Sequence, residues 1–387
     1  MPPMLTHAGQ EILLTAALRA SPLYDLVLYD RLPAAEQAAL AEIARDSGFY
    51  GVLRARDDAG STPAAPRALK SVDRDTALLF LTLREPGPLP SYVRAQLGEA
   101  AARTVARLVA DGVLEIASGD GFLSGAAALA RLGGGDARAP GQGRIAGLSA
   151  AALRYGQALG PGDPELLAWR LYSYNRQPLT PRWSRLLPSP EAMARHLGID
   201  AGGTNRRLLD SSWEPVAMAG WLAWFARPRA GEAPGGRAGG PTWKLYVSPR
   251  PEDVAGGFSA VLAALTAARA TQFKVGTDAS GLLRPDKIVA YFPSYERLAA
   301  AADAVLARLD GAPAQGVPFT AEIGGGRESW RVWVAHRLAW ALLTARNTAA
   351  EPQEHALEPW RFALERVRLE GIDTETWTPS AALWKEA

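Results

Sequence analysis

The stretch TQFKVGTDASGLLRPDKIVAYF, residues 271–292, decides the fold of the C-terminal half together with PTWKLYVSPR at 241–250. WKLYV, QFKVG and DKIVAYF are rich in β-branched and aromatic residues and are bounded by turn-forming residues, which is typical of strands. EDVAGGFSAVLAALTAARA and SYERLAAAADAVLARL carry apolar residues at helical spacing. This alternation predicts an α/β layer with a mixed sheet flanked by helices. We interpret SWRVWVAHRL, at 329–338, as a further extended run or strand.

The same region is unusual in its lysines. Only five of the 42 basic residues are lysine, and Lys244, Lys274 and Lys287 fall within this short stretch. Arginine stays protonated in proteins, whereas a buried lysine can lose its proton and act as a base. The lysines are therefore candidates for chemistry, although a coincidence of composition explains the count equally well.

Strand geometry predicts which of these side chains meet. Side chains at i and i+2 share a face, so Lys244 and Tyr246 lie on the same side of their strand. Read as a strand, SWRVWVAHRL would place Arg331, Trp333 and Arg337 on one face. If the strands are neighbours, the side chains expected to converge are Lys244, Tyr246, Lys274, Arg284, Tyr291 and Arg331, and Lys287 flanks the turn before the last strand together with Arg284.

Such a cluster suits a compact dianion. A phosphate on Ser or Thr carries about −1.5 to −2 charge at pH 7, and arginine forks match its oxygens. The alternative is a solvated basic face with internal salt bridges to Asp278, Asp286 or Glu322. Residue types alone leave both interpretations open.

The composition of the whole chain limits its function. At 387 residues the chain predicts two domains, and its net charge of +2 gives no global field for nucleic acid or membranes. Cysteine is absent, which suits a reducing cytoplasm, and four scattered histidines form no metal motif. We expect no cofactor, no signal peptide and no membrane span, because the longest apolar run, at 215–226, is too short.

The N-terminal part is expected to be mainly helical, with helical periodicity over 7–50. After a loop at 57–67, a helix from Glu99 to Asp111 precedes two strands, VLEIA and GFLSG, joined by a turn. That order predicts a winged-helix-like module, a shape that serves DNA binding or leader-peptide recognition. A helix that merely leads into a hairpin fits as well. DNA binding is disfavoured, because the helix offers only Arg103 and Arg107 to a phosphate backbone.

A boundary is expected in the Gly-rich stretch 133–147. Its GQGRIA matches a dinucleotide-binding fingerprint, but no strand precedes it, so we reject that function. Residues 165–225 are expected to be helical and aromatic, including WEPVAMAGWLAWFA, and 227–242 to be a linker. The predicted domains are 1–135 and 149–387, and the fold class is α+β.

The residues WKLYVSPRP, FKVGTDASGLLRPDKIVAYF and SWRVWVAHRLA carry a family resemblance. Residues 240–345, and more loosely 165–345, resemble the Hop-A type III effector family, as found in lyase partners of class V lanthipeptide and thioamitide maturation. More distantly they are similar to phosphothreonine lyases. Those lyases remove phosphate by β-elimination, leaving dehydroalanine or dehydrobutyrine. The resemblance therefore implies a cytoplasmic carbon–oxygen lyase of ribosomal peptide biosynthesis, with a phosphothreonine-lyase-like domain over 149–387.

The resemblance also implies residue roles. Lys274 matches the lysine that takes the Cα proton, and Lys244 matches a lysine that holds the phosphate. The other phosphate-binding candidates are Arg284, Arg331, Arg337, Lys287 and Tyr291. Phosphothreonine lyases have a histidine as general acid two residues after the first-strand lysine, whereas this chain has Tyr246 there. Either Tyr246 protonates the leaving phosphate, or phosphate leaves with cationic help alone, or the activity is lost.

The implied partners are a phosphorylated precursor peptide and a kinase-like protein. This chain carries no GxxxxGK, HRD or DFG signature with which to phosphorylate its own substrate. Two other functions stay open at this point. One is a non-catalytic subunit that binds the phosphopeptide or its leader for the kinase, and the other is a translocated effector acting on host phosphoproteins.

Overall fold

A computed structural model describes residues 5–56, 69–133, 144–160, 162–174, 176–228, 243–284, 286–308, 319–320, 329–348, 356–374 and 377. The helices are α1 His7–Thr15, α2 Ala34–Leu40, α3 Arg74–Thr82, α4 Ser91–Leu97, α5 Ala101–Ala110, α6 Gly125–Leu132, α7 Arg144–Leu159, α8 Pro164–Tyr172, α9 Pro181–Leu186, α10 Pro190–His196, α11 Arg206–Ser212, α12 Val254–Ala267, α13 Ala279–Leu282, α14 Tyr295–Arg308, α15 Trp330–Thr348 and α16 Pro359–Leu369. The strands are β1 Leu18–Ala20, β2 Tyr24–Leu28, β3 Phe49–Ala55, β4 Lys70–Asp73, β5 Leu114–Ser118, β6 Gly121–Leu123, β7 Trp213–Met218, β8 Trp221–Ala226, β9 Trp243–Val247, β10 Gln272–Gly276, β11 Ile288–Phe292 and β12 Phe319–Thr320. The predicted α+β class is confirmed.

The chain divides into two compact units. The first unit comprises Met1–Leu171, His336–Glu375 and Ser380–Ala387, and the second comprises Tyr172–Ala335 and Thr376–Pro379. The chain leaves the first unit near the end of α8 and returns to it within α15. Both crossing points lie inside the stretch 149–387 that the sequence predicts as one domain. No helix in the described part of the chain is long and apolar enough to cross a membrane.

The first unit contains the predicted helix-then-hairpin arrangement. Helix α5 leads into β5 and β6, which turn at Gly119, and the sheet is completed by β1 in the order β1-β5-β6. Helix α5 packs against α1, α6, α16 and β5. Its buried residues are Ala101, Ala102, Val105, Ala106, Val109 and Ala110. The residues between the buried ones, Arg103, Thr104, Arg107 and Leu108, keep some exposure, so the solvent-facing side of α5 carries only the two cations counted from the sequence.

The helical prediction for residues 7–50 is only partly right. Helices α1 and α2 form there, but β1, β2 and the start of β3 also fall in this stretch, and β2 and β3 pair in a second sheet of order β2-β3-β4. YDLVL in β2 and FYGVLRA in β3 are rich in aromatic and branched residues, which favour strands. The two strands are separated along the chain by α2, so a pattern within a short window of sequence does not reveal that they pair.

The second unit is built on a six-stranded sheet of order β12-β9-β11-β10-β8-β7. All of its described pairings are antiparallel, rather than mixed as predicted. One face packs on α12 and α14, and the strand residues buried in this core are Leu245, Val247, Phe273, Val275, Ile288, Ala290 and Phe292. The intervening side chains therefore point to the opposite face.

The segment WEPVAMAGWLAWFA is a β-hairpin, and its predicted helix is wrong. Strands β7 and β8 pair antiparallel around a turn in which Gly220 has φ 73°, a conformation that glycine adopts without strain. Trp224 stacks on Phe273, with ring centroids 4.8 Å apart. Pro215 is tolerated because β7 is an edge strand, where a missing N–H costs little.

The segment SWRVWVAHRL is likewise not a strand but the start of helix α15. Its Trp- and Val-rich, strand-like part covers only residues 330–334. The buried residues continue beyond it at helical spacing: Trp330, Val334, Ala335, Leu338, Ala339 and Leu342. Arg331 and Trp333 therefore do not share a strand face, because residues two apart on a helix point in different directions.

Candidate active site

Lys244 and Lys274 lie on the face of the second unit's sheet that does not pack on α12 and α14. Strand register aligns Lys244 with Tyr291 and Gln272 in one row. The next row aligns Tyr246, Val289 and Lys274. Directly opposed residues of antiparallel strands share a face, so β9, β11 and β10 present both lysines on one side. We call this side the cationic face; Trp221 joins it from β8, opposite Gly276.

Two aromatic rings connect the cations of this face. Lys244 Nζ lies 5.4 Å from the centre of the Tyr291 ring, and Lys274 Nζ lies 5.9 Å from the same ring. Lys274 Nζ is also 4.4 Å from the Trp221 ring, which Arg284 Cζ approaches to 4.9 Å. These are cation–π distances. Tyr291 thus lies beside both ammonium groups, and Trp221 contacts both Lys274 and Arg284.

Both lysines are shifted toward the neutral form. Burial, with the nearby charge of Lys274 as the second cause, lowers the pKa of Lys244 to about 8. Burial also lowers the pKa of Lys274; Asp286 opposes this effect and Arg284 adds to it. A free lysine titrates near ~10.4. The cationic face therefore holds two amines that lose a proton more readily than ordinary surface lysines do.

Asp286 organises the arginines next to these lysines. Arg284 donates from Nε to Oδ1 at 3.0 Å and from Nη2 to Oδ2 at 3.1 Å, a two-pronged pair. Arg331 Nη1 lies 2.9 Å from Oδ1, and the Tyr172 hydroxyl donates to Oδ2 at 3.3 Å. Burial would raise the pKa of Asp286, but Arg331 and Arg284 together hold it below its usual range.

The three acids proposed for internal salt bridges behave differently. Asp286 is the one that pairs with the site arginines. Asp278 caps α13 by accepting the backbone N–H of Gly281 at 2.8 Å. Glu322 lies outside the described residues. Asp286 thus forms with Arg284 and Arg331 the internal salt bridges expected for a purely structural basic face.

The remaining predicted residues occupy distinct positions. Tyr246 is buried, and burial followed by the nearby Tyr291 raises its pKa. Lys287 is buried and donates to Ser248 Oγ at 3.2 Å and to the Arg284 carbonyl at 2.9 Å, so it braces the turn before β11. Arg337 belongs to the first unit, where its Nε lies 3.7 Å from Glu370 Oε2.

Sequence reasoning missed two contributors to the site. Trp221 was assigned to a helix, although the glycine before it and the alternation in WLAWFA indicate a hairpin strand. Tyr172 accepts a hydrogen bond from Arg284 Nη2 at 3.0 Å and its carbonyl accepts one from Arg331 Nη2 at 3.0 Å. Tyr172 lies more than a hundred residues before both arginines, and no local signal in the sequence connects it to them.

Among the described residues, no group of His, Cys, Asp or Glu side chains is arranged to hold a metal ion. The groups available for chemistry on the cationic face are amines, guanidinium groups and phenols. Such groups can bind an anion and transfer protons.

Comparison with known proteins adds only weak similarities. No protein-family model matches the chain, and no curated protein matches it significantly. The effector protein from Pseudomonas syringae pv. syringae strain 61 is 12% identical, with a TM-score of 0.33, covering 58% of this chain and 98% of that chain. The effector protein from Pseudomonas syringae pv. tomato strain DC3000 is 10% identical, with a TM-score of 0.35, covering 60% and 99%. Similarities this loose to bacterial effector proteins carry no argument, and the Hop-A resemblance stays a prediction.

Proposed function

We propose that the second unit is a lyase that removes phosphate from phosphoserine or phosphothreonine in a precursor peptide by β-elimination. The observation that carries this proposal is the pair Lys244 and Lys274 on either side of Tyr291, on the face that the core leaves free. Two half-buried amines with lowered pKa values are costly to maintain in a purely structural face.

Binding of the phosphate is assigned to the cations of this face. Lys244 supplies a protonated amine for most molecules at neutral pH, since its pKa lies near 8. Arg284 stands beside the Trp221 ring that Lys274 also contacts. A phosphate of about −1.5 to −2 charge would gain charge-assisted hydrogen bonds here. Arg331 contributes indirectly, because it pairs with the same Asp286 carboxylate that pairs with Arg284.

Removal of the Cα proton is assigned to Lys274. Its neutral amine takes the proton, the Cα–H electrons form the Cα=Cβ bond, and the Cβ–O bond breaks toward the phosphate oxygen. Burial lowers the pKa of Lys274 and favours this neutral form; Asp286 opposes that effect and Arg284 adds to it. Bound phosphate favours the ammonium form of Lys274. Proton removal is therefore fastest when Lys244 and Arg284 neutralise the charge of the phosphate.

A non-catalytic phosphopeptide-binding subunit is the second candidate. It is favoured by Asp286, which already neutralises part of the charge of Arg284 and Arg331. It is also favoured by the burial of Tyr246 at the position of the family's acid. In this function the lysines hold the phosphate and present the peptide to a kinase without chemistry.

Both functions need a kinase-like partner that phosphorylates the peptide. We expect the two proteins to co-purify when expressed together, or to pass a diffusing phosphopeptide between them. Size-exclusion chromatography at micromolar concentration, with and without precursor peptide, separates these cases. A kinase that neither associates with this chain nor yields a peptide that it binds would contradict the partnership.

Mass spectrometry tests the function directly. Phosphoserine and phosphothreonine precursor peptides are incubated with wild type and with Lys274→Ala. Loss of phosphoric acid with wild type alone supports the lyase and its base. Intact phosphopeptide bound tightly by both proteins supports the binding subunit. Neither loss nor binding would contradict both functions.

A further inference from the structure

We propose that Tyr291, and not Tyr246, donates the proton to the departing phosphate oxygen. This assignment rests on the proposed lyase function and names a group that it requires. Expulsion of an unprotonated phosphate would release a trianion, which is a strongly basic leaving group. A positioned acid at this oxygen typically contributes ~10² to 10⁴ in rate.

Position on the sheet favours Tyr291. It lies on β11, between the strands that carry the two lysines, directly opposite Lys244 on one side and Gln272 on the other. Both ammonium groups approach its ring, at 5.4 Å and 5.9 Å from the ring centre. A phosphate held by Lys244 would therefore lie next to this phenol. Tyr291 is half-buried, so a ligand on the cationic face can reach it.

Tyr246 has the same chemistry but a less suitable location. Only 7% of Tyr246 is exposed. Burial, followed by the nearby Tyr291, raises the pKa of this phenol, so it is held in its neutral form inside the protein. Tyr246 shares its cross-strand row with Lys274 and its strand face with Lys244, so its burial, and not its distance from the lysines, makes it the less accessible donor.

The proton balance closes within two side chains, Lys274 and Tyr291. The neutral Lys274 amine takes the Cα proton and becomes an ammonium group. The Tyr291 O–H proton moves to the phosphate oxygen as the Cβ–O bond breaks, which releases hydrogen phosphate and leaves a phenolate. The new Lys274 proton then passes to that phenolate, and both groups regain their starting forms. The two ammonium groups beside the ring stabilise the transient phenolate.

Burial raises the pKa of Tyr291 to about 12, so the phenol stays protonated throughout the working range of the enzyme. A donor of this kind is weak toward water but suited to the strongly basic oxygen of a departing trianion. Its protonation also adds no pH dependence of its own below about pH 10.

The test compares elimination by wild type, Tyr291→Phe and the matched control Tyr246→Phe on a phosphoserine peptide from pH 6 to pH 8. We expect Tyr291→Phe to lose about 10²-fold or more in kcat at pH 8, with phosphopeptide affinity kept because the lysines remain. Near pH 6 the phosphate carries its own proton in about half of the molecules. The ratio of wild-type to Tyr291→Phe rates should therefore fall at least about tenfold between pH 8 and pH 6, since protonation of the lysine base affects both proteins alike.

The outcomes separate this assignment from the function on which it rests. A constant ratio across this range, or a loss confined to Tyr246→Phe, overturns the role of Tyr291 while leaving the lyase intact. Wild type that eliminates no phosphate at all overturns the lyase function itself. The substitution removes one hydroxyl from a half-buried ring, and a circular-dichroism melting curve shows whether Tyr291→Phe keeps its fold.

Discussion

Lys274 Nζ lies 4.4 Å from the centre of the Trp221 ring. The same indole contacts the Arg284 guanidinium, so a single side chain from β8 positions a cation of β10 and one from the turn before β11. The antiparallel pairing of β8 with β10 brings this about, because Trp221 pairs with Gly276, two residues after Lys274. An enzyme that depends on both cations should depend on this ring.

Trp221→Leu should slow elimination about tenfold while leaving the fold intact. Leucine keeps apolar cover over Lys274 but removes the ring, and each lost cation–π contact is worth about 0.5 to 1 kcal/mol. The measurement is kcat/KM on a phosphoserine peptide. Trp169→Leu is the matched control, since Trp169 lies in the first unit and is 60% exposed. Equal rates for Trp221→Leu and wild type would remove the indole from the site.

Lys244→Met should make the protein more stable at pH 7. The folded pKa of Lys244 is about 8, below the ~10.4 of an unfolded lysine. The unfolded state therefore binds more protons between these values, and wild-type stability rises as pH increases from about 8 to 10. Below that window the charged lysine is a constant cost, of about 1 to 2 kcal/mol after allowance for its partial exposure. Urea unfolding at pH 7 and pH 10 measures both effects.

Lys287→Met provides the contrast for that experiment. Lys287 is buried and donates two hydrogen bonds, so its loss should destabilise by about 1 to 3 kcal/mol. A destabilised Lys244→Met, or a stabilised Lys287→Met, would show that the two lysines have been assigned the wrong roles.

Asp286→Asn should destabilise the second unit by about 3 kcal/mol at pH 7, because it leaves two partly buried arginines without their carboxylate. The folded pKa of Asp286 is depressed. Its contribution is therefore fully present above the unfolded value of about 3.9 and is lost as pH falls through the folded pKa. Urea unfolding at pH 7 and pH 3 should show the gap between wild type and Asp286→Asn closing in acid.

The control for Asp286 is Asp210→Asn. Asp210 pairs with Arg206 at 2.8 Å, but both side chains are half exposed. Such surface pairs contribute about 0.2 to 1 kcal/mol. Equal losses for the two variants would mean that Asp286 holds the arginines no more firmly than a surface acid does.

The sequence was informative where local pattern and final environment agree. Strands β9, β10 and β11 were predictable because WKLYV, QFKVG and DKIVAYF are rich in aromatic and branched residues, and the two-residue period of a strand also placed Lys244 on the same face as Tyr246. It failed where short patterns conflict with longer ones. The strand-like residues 330–334 led us to predict a strand where α15 begins. The density of aromatic residues in 213–226 led us to predict a helix where β7 and β8 form a hairpin.

The site was predictable to the extent that it lies on one sheet. Lys244, Lys274 and Tyr291 meet through strand register, which the pattern implies once the strands are neighbours. Asp286 could be named as a partner but not selected over Asp278, because both lie in turns beside strands. Tyr172 depends on tertiary packing alone.

The most direct test of the central claim compares Lys274→Arg with Lys244→Arg in single-turnover elimination of a phosphoserine peptide, followed by mass spectrometry. Arginine keeps the positive charge but cannot act as a base. We expect Lys274→Arg to lose ~10² to 10⁴ in rate and Lys244→Arg, which still binds phosphate, to stay within about tenfold of wild type. A Lys274→Arg variant that eliminates phosphate at the wild-type rate would contradict the account.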